Sequence, residues 1–326
     1  MSLLRILDGR YAAAKRHTAA FLGWGAWGLA FLGIVAAPLG LQCSFIERLT
    51  HLRFYWIAVL VVLAVWWMVR KEVIPAILAL FLTGAALPAV WRYYQLGRLP
   101  AATARSGMTL TVACWNVHSS NPERERGAAW LKDCPADVLL LTEVNAGWAK
   151  HLQEISDRWP HQICEPRNGA AGIWLLSRWP LTQVEAAGIS PDEARPWIGC
   201  TVETPQGNVR MLGMHPRTPR GGHRFHERNA QLDHAAKFAA SSPGEVVVLG
   251  DLNCTPFSPW FDRLLERGRL RDSAMGLGLT PTWQSGIWLL PIDHILIGGT
   301  LTVLDRRVHR DNLGSDHSPL MAVLRF

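Results

Sequence analysis

The 326-residue chain is long enough for two ordinary domains, or for one large domain with an appendage. Its formal charge of +7 is unevenly placed: residues 1–105 hold 11 Lys and Arg against 3 Asp and Glu, and residues 106–326 hold 22 against 23. The basic balance belongs to the N-terminal third, which argues against a uniformly basic nucleic-acid-binding protein.

That third is apolar in long blocks. Residues 17–46, 54–69 and 73–91 carry no Asp, Glu, Lys or Arg, giving runs of 30, 16 and 19 residues. A helix of about 20 residues crosses the hydrocarbon core. We therefore read a tail at 1–18 and three transmembrane helices near 19–41, 53–70 and 73–92. Trp66, Trp67, Arg70 and Lys71 close the second block with side chains suited to the membrane interface. Pro75 and Pro88 are tolerable in a membrane helix. Arg5, Arg10, Lys15 and Arg16 of the tail outnumber Arg48 and Arg53 of the next loop, which predicts a cytoplasmic N-terminus and a C-terminal domain on the far side. Arg92, Arg98 and Arg105 pull the other way. Residues 93–107, polar and rich in small side chains, read as a linker.

From residue 108 onward strand-like runs alternate with helical ones. Strands are predicted at 110–117, 138–144, 172–176, 197–202, 209–214, 246–250, 294–297 and 320–326. "ETPQGN" reads as a hairpin turn in which Gly207 is free to take positive φ. Asn121-Pro122 offers a helix cap with proline at the first helical position. "RFHERNAQLDHAAKFAA" reads as a second helix, and Ser258-Pro259 opens a third that Gly268 closes. The result is an α/β domain of about 220 residues, ample for a substantial core. Its five cysteines, of six in the chain, show neither a CxxC pair nor zinc-like spacing, and read as buried apolar thiols.

Polar groups recur where the strands end. Asn116 closes "TVACWNV", Glu143 closes "VLLLTEV" and His215 closes "VRMLGMH". Asp251 and Asn253 follow "VVVLG", and side chains two apart in extended chain point the same way. Asp293 lies in "LLPIDHILI", and Asp316-His317 in "GSDHSPL". Any one of these is explained as a turn or cap residue. Six strand ends of this kind point to one site holding water, phosphate or a hard metal ion.

With "WNV", "TEV", "LLSRWP", "MHP", "GDLN", "PIDHIL" and "GSDHSPL" in order, residues 109–326 resemble the endonuclease/exonuclease/phosphatase superfamily of metal-dependent phosphoesterases. That superfamily includes DNase I-like nucleases, neutral sphingomyelinases and inositol polyphosphate 5-phosphatases. The apolar N-terminus with "TPFSPWF", "TPTW" and "PIDHIL" looks most like bacterial membrane-anchored members, some of them implicated in removing phosphate from lipid-linked pyrophosphates. The resemblance implies a four-layer α/β sandwich, two packed mixed sheets flanked by helices, preceded here by three transmembrane helices. It also implies a multi-pass protein of a bacterial-type inner membrane, and the charge bias of the tail puts its catalytic domain on the periplasmic or extracellular side.

Carried across by position, the resemblance makes Glu143 the main ligand of Mg²⁺, with Mn²⁺ as the substitute, and places Asn116 and Asp316 beside the ion. His317 becomes the base or electrostatic partner, oriented by Asp293. Asp251 orients the water, Asn253 holds a phosphate oxygen, and His215 stabilises the phosphoryl group or the leaving oxygen. Thr142 stands where the family often has Gln, Cys254 replaces a small residue, and the active-site tyrosine of the abasic-site nucleases has no counterpart. "HPRTPRGGHRFHER" packs Arg217, Arg220, Arg224 and Arg228 into 14 residues. It reads either as a solvated basic loop or as a clamp for a second phosphate or anionic head group. The expected partners are the bilayer and a lipid-linked phosphate. A membrane-tethered nuclease is the alternative, disfavoured by a net charge near zero and three lysines beyond residue 105. Every expected catalytic position is filled, which argues against a non-catalytic binding protein.

Overall fold

Charge-free runs become helices in the first 91 residues. The computed structural model describes residues 3–95, 109–153, 156–187 and 195–326. The chain divides into two compact units: residues 1–91 with Phe257–Pro259, and residues 92–256 with 260–326.

In the first unit α1 spans Leu3–Ile34, a short 3-10 turn Ala37–Leu41, α2 Ser44–Thr50, α3 Arg53–Val69 and α4 Val73–Trp91. The basic segment expected as a tail is the first half of α1. That helix ends at Ile34 rather than near 41, where Pro38 opens the 3-10 turn. Small side chains face the interior: Ala30, Ala64, Ala76, Ala79 and Ala86 are buried with Leu60, Leu82 and Trp67. Large apolar ones face outward, Val62, Val69, Ile74 and Phe81 each being about two-thirds exposed or more. A water-soluble bundle sorts its side chains the other way. Only α4 is by itself long and apolar enough to cross a membrane among the described residues; α2 and α3 qualify together across a 72° bend. Three separate spans are therefore not seen. The first block is diluted by Gly23, Gly25, Gly28 and Gly33, and α3, the helix of the second, is only 17 residues long.

In the second unit the elements are β1 (Thr109–Asn116), α5 (Arg124–Asp133), β2 (Val138–Thr142), α6 (Ala146–Gln153), β3 (His161–Glu165), β4 (Ile173–Ser177), β5 (Leu181–Ala187), β6 (Trp197–Thr204), β7 (Gly207–Met214), α7 (Gly222–Ser241) and β8 (Glu245–Asp251). Then come α8 (Pro259–Gly268), β9 (Arg271–Asp272), β10 (Trp283–Ser285), β11 (Trp288–Leu290), β12 (Asp293–Gly298), β13 (Thr302–Val308) and β14 (Leu320–Arg325). They form two six-stranded sheets, β13-β14-β1-β2-β4-β3 and β5-β6-β7-β8-β12-β9, with β10-β11 a separate hairpin. β1 and β2 run parallel, as do β7 and β8; the other pairs are antiparallel, so both sheets are mixed.

Alternation along the strands builds the layers. Val138 and Leu140 of β2 point between the sheets with Val112, Met211, Val247 and Ile295. Leu139 and Leu141 point outward to Trp115, Leu131 and Trp148 under α5 and α6. Leu212 and Val248 face Leu232 and Phe261 under α7 and α8. Strands buried on both faces read as continuous apolar runs, which is why β2 and β8 were visible in the sequence. The order is helix, sheet, sheet, helix, the four layers expected.

Differences from expectation are local. Asn121 does not cap α5: its side chain bonds Val117 O, Leu313 O and Glu123 N, and the helix starts at Arg124. Gly268 is still helical, and the left-handed residue after α8 is Arg269. The start of the expected linker, Tyr93–Gln95, belongs to the second unit, with Tyr93 buried and its carbonyl accepting from Gly278 N at 2.8 Å. The remainder of that linker, 96–107, lies outside the described residues. All six cysteines are free.

Candidate active site

Strand direction decides where the polar residues meet. The C-terminal ends of β1, β2, β7 and β8 deliver Asn116, Glu143, His215 and Asp251. The antiparallel strand β12 starts with Asp293 directly opposite Asp251, and His317 lies just before β14, which runs antiparallel to β1. All six side chains converge.

Asn116 is the hub. Its Nδ2 lies 3.2 Å from Glu143 Oε1, 3.1 Å from Asp251 Oδ2 and 3.5 Å from His317 Nε2. Asp251 Oδ2 is also 3.2 Å from His215 Nε2 and 3.6 Å from His317 Nε2, while its Oδ1 accepts from Asn253 N at 2.9 Å. His317 Nδ1 sits 2.8 Å from Asp293 Oδ2. Ser315 Oγ straps the histidine down, accepting from His317 N and donating to Asn116 O. Glu143 and Asn253 hold left-handed backbone, φ 64° and 48°. Strained non-glycine positions of this kind cost on the order of 1–3 kcal/mol and gather at functional sites.

Burial of Asp251 favours the neutral acid, yet the imidazoles of His317 and His215 outweigh it and hold the carboxyl well below its ordinary range. For His317 burial again opposes the charge, and Asp293 and then Asp251 overcome it, pushing the imidazolium up to about 10. A buried carboxylate and a buried imidazolium therefore coexist at neutral pH.

Two carboxylates at the edge of the cluster, Glu143 and Asp316, approach the same imidazole, His118. Glu143 Oε2 accepts from Ser119 N at 3.2 Å, and His118 Nδ1 lies 3.9 Å from it and 3.3 Å from Asp316 Oδ1. Asp316 Oδ2 accepts from Trp283 Nε1 at 2.9 Å. An oxygen-only donor pair of partly exposed carboxylates fits a hard divalent ion that keeps several waters. Asp251, Asp293 and His317 also lie close enough together for a metal. That trio is the poorer choice, because Asp293 and the Nδ1 of His317 already satisfy each other.

Asn253 and Arg228 have partners within the protein. Asn253 Nδ2 donates to Pro216 O at 3.0 Å, so in this arrangement it braces the loop after β7. Arg228, the last arginine of the basic segment, turns inward and donates to Asn253 O at 3.1 Å. Arg217 approaches Glu227 to 4.0 Å, and Arg220 and Arg224 are exposed; none of these three hydrogen-bonds the cluster among the described residues. Sequence reasoning missed Arg195, whose Nη1 lies 3.0 Å from His215 Nδ1, and His118. Register was the available signal for Arg195. Trp197 pairs with Met214, so a charge just before β6 falls beside the residue just after β7.

A family model described as "Endonuclease/Exonuclease/phosphatase family" matches residues 113–317. Among solved structures, the chain is similar to an endonuclease/exonuclease/phosphatase from Beutenbergia cavernae (TM-score 0.54, 21% identity, covering 67% of this chain and 72% of that one). It is also similar to the 3'-5' exonuclease NExo from Neisseria meningitidis (0.53, 23%, 65% and 98%). A third likeness is to sphingomyelinase C from Streptomyces griseocarneus (0.51, 18%, 66% and 99%). No curated protein matches the chain in sequence. At these identities the solved structures speak to the fold.

Proposed function

Since the chain belongs to the endonuclease/exonuclease/phosphatase family, whose members hydrolyse phosphoesters, we propose that it is a membrane-anchored phosphoesterase that cleaves a lipid-linked phosphate or pyrophosphate. The observation that carries the chemistry is the convergence of Asn116, Glu143, His215, Asp251, Asp293 and His317 on one edge of the paired sheets.

Glu143 and Asp316, with Asn116 beside them, would hold Mg²⁺ or Mn²⁺. The ion would supply neutralisation of charge on the phosphoryl oxygens and the leaving group. Asp251, ionised despite its burial, orients the attacking water. His317 carries positive charge at neutral pH, so of its two expected roles the electrostatic one is favoured: it faces the charge that develops on the phosphoryl oxygens. Asp293 fixes that ring through Nδ1 and leaves Nε2 pointing at the centre. Asn116 ties the metal-side carboxylate to the water-side one.

The substrate reading rests on the first 91 residues. A 19-residue helix without a charged side chain, α4, ends where the second unit begins. The outward-facing large apolar side chains of α3 and α4 suit a lipid environment, with α1 and the α2–α3 pair as further membrane-embedded segments. Tethering an active site to the bilayer raises its effective concentration over lipid head groups. Arg217, Arg220 and Arg224 offer guanidinium forks for a second phosphate. The positive charge before the first apolar block favours a cytoplasmic N-terminus with the catalytic unit on the opposite side.

The test uses the full chain in detergent with Mg²⁺ or EDTA. Phosphate release from undecaprenyl pyrophosphate is compared with cleavage of a sphingomyelin, a phosphoinositide and a plasmid. The expected outcome is Mg²⁺-dependent hydrolysis of a lipid substrate that EDTA abolishes and Mg²⁺ restores. The likeness to NExo makes nucleic acid the second reading, and activity confined to the plasmid would establish it instead.

A further inference from the structure

Two histidines flank Asp251, and they are held by opposite partners. His317 Nδ1 faces the carboxylate of Asp293, which accepts only, so that nitrogen carries hydrogen. His215 Nδ1 faces Nη1 of Arg195 at 3.0 Å, and a guanidinium donates only. Two N–H groups cannot bond to each other. His215 must therefore present a lone pair at Nδ1 and carry its hydrogen on Nε2. That nitrogen lies 3.2 Å from Asp251 Oδ2 and 3.9 Å from Glu143 Oε1, so the N–H is aimed at the acidic centre.

We propose that Arg195 is a positioning residue of the reaction, locking His215 in the Nε2–H tautomer so that its N–H is aimed at the acidic centre. The placement of Arg195 is built in. Its own carbonyl accepts from Gln231 Nε2 at 2.7 Å, out of α7, and Pro196 holds it in extended backbone. No carboxylate lies within ion-pair distance of it among the described residues, so its charge is not committed to a structural salt bridge. Burial lowers its proton affinity, and the charges of Glu143 and Asp251 offset that only in part; a guanidinium stays charged in either case. The pair of histidines thus divides its work. Asp293 holds His317 through Nδ1 with its Nε2 toward the centre, and His215 donates a hydrogen bond from its own Nε2 to a phosphoryl or leaving-group oxygen.

The catalytic half of this inference rests on the phosphoesterase reading, whereas the tautomer half does not, and the experiment separates them. The full chain in detergent is labelled with ¹⁵N-histidine, and the ring resonances of His215 are assigned with a His215→Gln variant. A pyridine-type Nδ1 with a pyrrole-type Nε2 is expected, and loss of that pattern in Arg195→Met. With Mg²⁺ and bis(p-nitrophenyl) phosphate, a generic diester, Arg195→Met is expected to lose about 10–100-fold in kcat, the usual effect of removing an orienting partner, with KM little changed. Added guanidinium restores part of that loss, and Arg195→Lys, which keeps one donor, falls in between. A hydrogen on Nδ1 in the unmodified chain, or Arg195→Met turning over at the unmodified rate, overturns the proposal. A chain that hydrolyses no phosphoester sinks the phosphoesterase reading, and the nitrogen resonances still decide the lock.

Discussion

Asp251 and His317 are buried and charged together, and each state depends on the other. The ordinary imidazole value of 6.5 rises to about 10 in His317 because Asp293 and Asp251 outweigh burial. The charged form is thus complete through neutrality and lost as pH climbs through about 10. The same sign governs stability: the contribution is fully present below about 6.5, where the unfolded histidine is also protonated, and disappears as pH rises through about 10. We expect kcat/KM to decline on the alkaline side near that value. In Asp293→Asn the favourable charge is gone, so the alkaline limb moves to lower pH and kcat falls by roughly 100-fold, as when one preorganised electrostatic contact is removed. A pH–rate profile of the two proteins checks this, and an unmoved limb would mean that the His317 charge is irrelevant to rate. At this scale the sequence was informative wherever a polar side chain interrupts an apolar run, as Asp251 does after "VVVLG". Arg195 and His118 interrupt nothing; each joins the site only through a neighbouring strand or a turn, and such cross-strand relations are set by register. Asn253 shows a further limit. Its place beside Asp251 was legible, but its bond to Pro216 O depends on a loop from another strand.

Elements position these groups through backbone geometry that few residues tolerate. Gly250, directly before Asp251, has φ 132°, and a Cβ there would collide with the carbonyl oxygen of Met214. Gly250→Ala must therefore either strain β8 or push it away from β7, moving Asp251 relative to His215. We expect a loss of about 1–3 kcal/mol from the disfavoured backbone alone, with a lower kcat at temperatures where the variant is still folded. Thermal unfolding and single-temperature kinetics check it; a variant as stable and active as the parent would show that the strand end is compliant. The same geometry explains which elements could be read beforehand. β1, β2, β7, β8 and β12 form the two sheet centres and are mostly apolar between their ends, Arg210 of β7 being the charged exception, so length and β-branched content marked them. β3, β5 and β13 lie at or near sheet edges, where exposure breaks the alternation, and β3 is only half-buried along its whole length. β9, β10 and β11 are two or three residues long and leave almost no periodic signal. The start of α5 was misread because Asn121 looks like a cap by type, while its side chain bonds Val117 and Leu313 instead.

For the whole molecule the question is what the first 91 residues do for the reaction. Composition revealed three apolar blocks, but not the bend that leaves α2 and α3 as one broken segment, because the two residues of the break, His51 and Leu52, include neither glycine nor proline to mark it. Nor did composition reveal that Tyr93–Gln95 belong to the second unit, since Tyr93 is as acceptable in a linker as in a core. Both findings bear on one experiment. A chain starting at Arg92 keeps Tyr93 and every catalytic side chain, so its centre should hydrolyse bis(p-nitrophenyl) phosphate within a few-fold of the full chain. The apolar helices contribute nothing to that reaction. Under the proposed function they contribute against a lipid-linked phosphate presented in a bilayer, where a tether would turn a bimolecular encounter into a local one. Losing it should lower kcat/KM by about 10²–10⁴, the range over which linkage raises effective affinity. Rates measured on both substrates, in vesicles for the lipid and in solution for the diester, give two ratios of truncated to full chain. A large drop for the lipid alone assigns the helices to substrate access. Equal drops would mean that they stabilise the catalytic unit, and no drop in either would remove the membrane from the account of substrate choice.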